Sequence, residues 1–275
     1  MHMRRSLLLQ ATTLIATLAL ALAACGDDAS SSGSGGAGGA SASTGSLPTG
    51  PGASTTSGST GGAGAGEPVA CDASDTHEGE GTYYDADGSG NCSFPATPAD
   101  LLVAAMNQID YAGSAACGAC IRATGPNGEV TVRIVDRCPE CPQGDVDFSP
   151  EAFEQIAELS AGRVPISWQW VPCVVDGPLS YHFKDGSNPF WTAVQVRNHR
   201  HPVASFAFRP AGGGAWIDVP RLEYNYFVYA EGMGDGPFDF RVTDVYGGVV
   251  EDTGIALGDD VERSGASQLP VCEGG

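Results

Sequence analysis

Positive charge is what this sequence is shortest of: 13 lysines and arginines stand against 33 aspartates and glutamates, a formal charge of −20. A surface of that sign repels nucleic acid, anionic lipid and acidic polymers alike, so a neutral partner is favoured. A membrane-spanning run is missing as well. The apolar stretch Leu14 to Ala24 is too short to cross a bilayer as a helix. Helical periodicity is absent from Leu179 onward, which excludes a helix-rich second half. Residues Gly26 to Pro68 contain almost nothing but Gly, Ser, Ala and Thr with some Asp and Pro. That composition carries too little apolar surface to offset chain entropy and reads as a tether.

The N-terminus reads as an export signal. Arg4 and Arg5 precede the apolar run, the charged-then-apolar layout of a secretory peptide, expected over residues 1–24. The run ends Leu22-Ala23-Ala24-Cys25, which resembles the lipobox of bacterial lipoproteins and implies cleavage before Cys25 and acylation on it. The alternative is a plain signal peptide followed by a stray thiol. Residues 25–70 then form a lipid-anchored linker with a coil reach of roughly 35–40 Å. Losing residues 1–24 leaves 11 basic residues against 33 acidic ones, formally −22.

Eight further cysteines follow: Cys71, Cys92, Cys117, Cys120, Cys138, Cys141, Cys173 and Cys272. An even count in an exported chain predicts four disulfides, with connectivity open. The rival is a zinc site. Cys117-Gly-Ala-Cys120 and Cys138-Pro-Glu-Cys141 are two CxxC pairs 17 residues apart, a spacing such sites use. The oxidising destination argues for disulfides and no metal or cofactor.

Thr97-Pro98-Ala99-Asp100 before Leu101, Leu102, Ala105 and Met106 has a cap, an early proline and apolar residues at helical spacing, which predicts a helix. Ser149-Pro150-Glu151 before Phe153, Ile156 and Ala157, closed by Gly162, predicts a second. Period-two stretches at Glu129–Val135 and Val164–Val171 predict strands, with a turn at Gly125-Pro126-Asn127-Gly128. Alternating runs follow at Leu179–Lys184, Trp191–Arg197, Ala204–Arg209, Trp216–Val219, Asn225–Ala230, Phe238–Asp244 and Val249–Thr253. They predict a β-sandwich. Asp176-Gly177-Pro178 marks the boundary, giving domains at 71–177 and 178–272.

Four segments in the first domain carry a family resemblance: Gly79-Glu80-Gly81-Thr82-Tyr83-Tyr84, Ala105-Met106-Asn107 with Asp110-Tyr111, Ile134 to Glu140, and Val146 to Phe153. Four more lie in the second: Gly186 to Trp191, Gln195 to Arg200, Tyr224 to Val228, and Arg241 to Asp244. In order, they resemble the two domains of microbial expansins. The resemblance implies a mostly β chain, with a six-stranded double-psi β-barrel related to family 45 endoglucanases and an immunoglobulin-like sandwich that binds cellulose. It maps a polar groove onto Thr82, Tyr83, Asp136, Glu140 and Asp147, and a substrate-binding platform onto Lys184, Phe190, Trp191 and Tyr224. Two positions depart from the family: Cys138 where the groove often holds an aromatic, and Phe190 where tryptophan is common. A Cys138–Cys141 bridge is implied at the first. By the same resemblance Cys92 pairs with Cys117 and Cys120 with Cys173, leaving Cys71 with Cys272.

Glycoside hydrolysis by the usual route needs two carboxylates. Asp147 matches the general acid of the related endoglucanases, and the segment bearing their base is not found. Asp136 and Asp147 also have a structural reading, since aspartate before a turn or helix is an ordinary cap. Along the strand from Trp191, the residues Trp191, Ala193, Gln195 and Arg197 make a polar, exposed face opposite Thr192, Val194 and Val196. Trp168, Trp170 and Trp216 are expected in the core. His199 and His201, beside Arg197 and Arg200, read as a solvated basic edge without metal.

The expected function is non-hydrolytic loosening of cell-wall polysaccharide by an exported monomer at the outer membrane or cell surface. Its expected partners are cellulose or other neutral wall glucans; it takes no cofactor, and meets the membrane only through its lipid. Two alternatives stand: an enzyme of the lytic transglycosylase or endoglucanase kind with Asp147 as sole acid, and a plain polysaccharide adhesin.

Overall fold

The computed structural model describes residues 69–70 and 75–273. The signal, the tether, Cys25 and Cys71 lie outside the described residues. In the first half the elements are β1 (Val69–Ala70), β2 (His77–Tyr83), β3 (Val103–Asn107), helix α1 (Gln108–Tyr111), β4 (Cys120–Gly125) and β5 (Gly128–Cys138). After them come β6 (Val146–Phe148), helix α2 (Pro150–Ile156) and β7 (Val164–Val171). Strands β2-β6-β3-β5-β4-β7 close into a six-stranded barrel. Its interior holds Met106, Ile121, Ile134, Phe148 and Trp168, all essentially sealed from solvent.

The second half contains β8 (Ser180–Phe183), β9 (Thr192–Arg197), β10 (Val203–Pro210), β11 (Ile217–Val219), β12 (Phe227–Tyr229), β13 (Phe238–Asp244), β14 (Val249–Ile255), β15 (Val261–Ser264) and β16 (Cys272–Glu273). Two four-stranded antiparallel sheets, β11-β10-β13-β14 and β12-β9-β8-β15, enclose an aromatic core of Tyr181, Phe183, Phe206, Phe238 and Phe240. The mostly β class agrees with the sequence. Every alternating run predicted after Leu179 contains a strand; β15, with charged residues on both faces, was not predicted.

The helix predicted from Thr97 is absent. Thr97 closes a turn, with its hydroxyl donating to the Asp100 carbonyl at 3.0 Å, and Val103–Asn107 is a strand buried at every position. It lies between β5 and β6 at the centre of the barrel wall. A strand covered on both sides loses its alternation, so its apolar run reads equally as helix. The second predicted helix forms: Ser149 Oγ accepts from the Ala152 amide at 3.1 Å and Pro150 opens the first turn.

Disulfides join Cys92 to Cys117, Cys120 to Cys173 and Cys138 to Cys141. The two CxxC pairs are therefore split among different partners or bridged internally, and no four-thiolate zinc site forms from them. Cys272 is disulfide-bonded too, and β16 pairs with β1 just before Cys71.

The barrel and the sandwich are joined by more than a linker. Cys173, bridged to barrel residue Cys120, donates its amide to the Arg200 carbonyl at 2.8 Å. Gln195 Nε2 and Asn225 Nδ2 both donate to the Cys92 carbonyl, at 2.8 and 3.2 Å. Arg221 donates to the Ser114 and Val203 carbonyls and lies over the Phe227 ring. Burial lowers its guanidinium to about 10. His199 and His201 are 3% and 1% exposed, His199 lying against Gly118 of the barrel and His201 against Pro270 and Tyr246, which corrects the expected solvated edge. The His201 carbonyl accepts from His199 Nδ1 at 2.8 Å.

Candidate functional site

Strand register builds the groove. Thr82 pairs with Asp147, Asp147 with Ala105, and Ala105 with Asp136, across β2, β6, β3 and β5. Laterally paired residues share a face, so the two aspartates flank the methyl group of Ala105, with Cα atoms about 10 Å apart at two strand spacings. Ala105, 3% exposed, separates them.

The two carboxylates differ in what they are free to do. One oxygen of Asp136 accepts from the Asn91 amide at 2.6 Å and the Arg137 amide at 2.8 Å. Gly90 makes this possible: a side chain there would overlap the Asp136 carboxylate, and its φ of 155° lies in the region glycine favours. Asp136 thus clamps a loop as well as edging the groove. Asp147 makes one strong contact, accepting from the Thr82 hydroxyl at 2.6 Å. Burial raises its pKa, the charges of Glu140 and Asp136 push the same way, and the Thr82 hydrogen bond and Arg163 oppose them. Glu140 is exposed on the turn that the Cys138–Cys141 bridge closes.

Tyr83 does not join this row. It lies on the opposite side of β2 from Thr82 and meets the Phe153 ring of α2 at 5.0 Å. Tyr84, two residues from Thr82, takes the groove face, and the charges of Asp136, Asp147 and Asp87 act on its phenol. The period-two rule pointed to it.

On the sandwich, Phe190 stands at the tip of a turn in which Asn188 and Trp191 exchange main-chain hydrogen bonds. Asn188 also binds the Phe190 amide through Oδ1 and the Gly186 carbonyl through Nδ2. Gly232 packs so closely on the Pro189–Phe190 main chain that a side chain there would collide with it. The clamped turn holds a ring 82% exposed, so Phe190 is not core. Trp191 is half-buried beside it. Lys184, the only lysine of the chain, has its ammonium 5.8 Å from the Tyr226 ring, which is 5.8 Å from Tyr224.

Ala193 and Gln195, on the face expected to be solvated, are sealed, because the barrel loop bearing Cys92 covers Gln195. Trp168 is core and Trp170 packs at its margin. Trp216 is not core: it lies on the outside of the β10–β13 sheet between the guanidiniums of Arg209 and Arg241, 4.3 and 4.2 Å from its centroid.

Groove and platform meet through residues to which sequence reasoning assigned no role. Asn91, whose amide binds Asp136, donates its side chain to the Glu223 carbonyl at 2.7 Å and to the Tyr111 hydroxyl at 2.8 Å. Tyr111 donates onward to the same Glu223 carbonyl at 2.8 Å. Glu223 precedes the platform residue Tyr224 and pairs with Arg137 at 3.3 Å. No local pattern marks these residues, because their partners lie 20 to 132 positions away.

A family model described as lytic transglycolase matches residues 103–168, part of the barrel. Expansin-like protein 2 of Dictyostelium discoideum is 32% identical over 66% of this chain and 47% of its own length. The crystal structure of the apo expansin of Clavibacter michiganensis superposes with a TM-score of 0.66 at 34% identity, covering 70% of this chain and 98% of that one. A mutant of that expansin, solved in complex with cellohexaose, matches with the same TM-score at 33% identity. Expansin-YoaJ of Bacillus subtilis is 36% identical over 184 residues, 65% of this chain and 78% of the relative, and on that likeness the chain belongs to the expansin family.

Proposed function

We propose that this protein binds cellulose or a related neutral glucan and loosens wall polysaccharide without hydrolysing it. The carrying observation is the hydrogen-bonded path from the Asp147–Asp136 row through Asn91 to Glu223, the neighbour of platform residue Tyr224. Flat rings pack against the C–H faces of a glucan, and the groove carboxylates accept from its hydroxyls. The cellohexaose complex of the Clavibacter relative supports this ligand class. The net charge of −20 favours an uncharged polymer over anionic ones.

The non-hydrolytic reading rests on the carboxylates. Asp147 carries the raised pKa of an acid, Asp136 serves as a loop clamp through one oxygen, and the segment that bears the base of the related endoglucanases is not found. A second reading, cleavage of peptidoglycan with Asp147 as sole acid, is favoured by the description of the matching family model. Incubation with cellulose, xyloglucan and peptidoglycan, scoring binding and soluble products together, separates the two. The proposal expects binding to the neutral glucans and no products. Product release that disappears in Asp147→Asn establishes an enzyme instead.

The N-terminal sequence supports export and acylation at Cys25; on this reading the protein is a monomer held at the outer membrane or cell surface by a tether over residues 25–70. The domain division proposed is 71–177 and 178–272.

A further inference from the structure

The groove contains a ring whose polar end is unavailable. The main chain at Tyr84 continues the β2–β6 ladder, its amide donating to the Phe148 carbonyl at 2.9 Å, so its side chain stays on the face of Thr82 and Asp147. Its hydroxyl is sealed from solvent without a hydrogen-bond partner, and its ring rests on the barrel core. The part of Tyr84 that meets solvent is therefore not the hydroxyl. Tyr83, 38% exposed, lies on the opposite side of β2; the other groups near the groove are committed elsewhere or lack a ring. Tyr83 packs on Phe153, Tyr111 spends its hydroxyl at the domain junction, and Cys138 is bridged to Cys141.

We propose that the ring of Tyr84, not its hydroxyl, is the sugar-stacking surface of the barrel groove. Its ligand is the C–H face of a neutral pyranose whose hydroxyls reach Asp147 on one side and Asp136 on the other. The proposal rests on the reading of the groove as a glucan site. It assigns the buried hydroxyl no role: desolvation first, then the charges of Asp136, Asp147 and Asp87, hold the phenol protonated. An orphaned buried hydroxyl costs stability rather than adding to it.

The test compares Tyr84→Leu, which removes the ring but fills its space, with Tyr84→Phe, which removes only the hydroxyl. Each exported chain is assayed for tensile weakening of cellulose paper and for cellulose binding. Tyr84→Leu is expected to lose weakening about five- to tenfold, the size of a stacking contact, while platform-driven binding changes less than about twofold. Tyr84→Phe is expected to restore weakening and to melt no lower than wild type. Full weakening in folded Tyr84→Leu overturns the proposal, as does a Tyr84→Phe defect equal to that of Leu, which makes the hydroxyl the contact. If Tyr84→Leu does not fold, Tyr84→Met, which also lacks the ring, takes its place under the same criteria. Wild-type protein that neither binds nor weakens cellulose sinks the functional reading itself, a result distinct from any of these.

Discussion

Arg137 and Glu223 face each other at 3.3 Å across the junction of barrel and sandwich, one residue from Asp136 and one from Tyr224. The ion pair marks the seam but does not hold it, because the Glu223 carboxylate is 71% exposed and such pairs contribute at most about 1 kcal/mol. The seam is held by main-chain acceptors: the Glu223 carbonyl takes hydrogen bonds from Asn91 and Tyr111. Glu223→Ala, which keeps that carbonyl, should shift Tm by less than about 2 °C. Asn91→Ala removes one part-buried and one exposed donation and should lower Tm by about 3–6 °C. Calorimetry of the two variants checks the ranking, and equal losses would mean that the ion pair matters as much as the amide.

Asp147 sets a second expectation through linkage. Its folded pKa is raised, chiefly by burial and then by Glu140 and Asp136. A raised acid favours the protonated fold: its contribution is fully present below the unfolded pKa and is lost as pH rises through the folded value. At neutral pH the ionised carboxylate is therefore a cost. Asp147→Asn keeps an acceptor for Thr82 and should raise Tm at pH 7 by about 1–3 °C. The gain should vanish near pH 4, about the unfolded pKa of aspartate. A lower Tm at pH 7 would show that the carboxylate is stabilising.

His199 titrates the other way. Complete burial lowers its pKa to about 4, while its bond to the His201 carbonyl only partly compensates. A lowered base stabilises the neutral fold, so its contribution is full above the unfolded value near 6.5 and declines as pH falls, gone once pH passes its folded value. The difference corresponds to roughly 3 kcal/mol, or about 6–12 °C in Tm. Between pH 7 and pH 4 wild type should lose that much more Tm than His199→Gln. Parallel melting curves for the two proteins would contradict it.

Much of this fold was legible in the sequence because most strands are covered on one face only. In Phe238–Asp244 the alternate residues Phe238, Phe240 and Val242 enter the core while Arg241 and Thr243 are part-exposed, and the predicted bounds match the strand observed. Val103–Asn107 misled because both its faces are covered. At the site, Thr82 and Asp147 were found through a family motif and do touch, whereas the motif did not fix which face of β2 Tyr83 presents, and it packs beside Phe153. Trp216 and His199 went astray for one reason: hydropathy cannot report a partner. Two arginines hold the tryptophan on the surface, and the approach of Gly118 encloses the histidine. The Asn91 relay left no trace, since nothing local records contacts 45 and 132 residues distant.

The central claim is binding through the sandwich aromatics without cleavage. Its most direct test is a cellulose depletion isotherm for wild type and Trp191→Ala, with soluble reducing sugar measured in the same tubes. Wild type should bind and release no sugar at any time point. Trp191→Ala, with Tm within a few degrees of wild type, should bind about tenfold more weakly or worse, as expected for an aromatic anchor. Full affinity in that folded variant, or sugar released by wild type, would contradict the account.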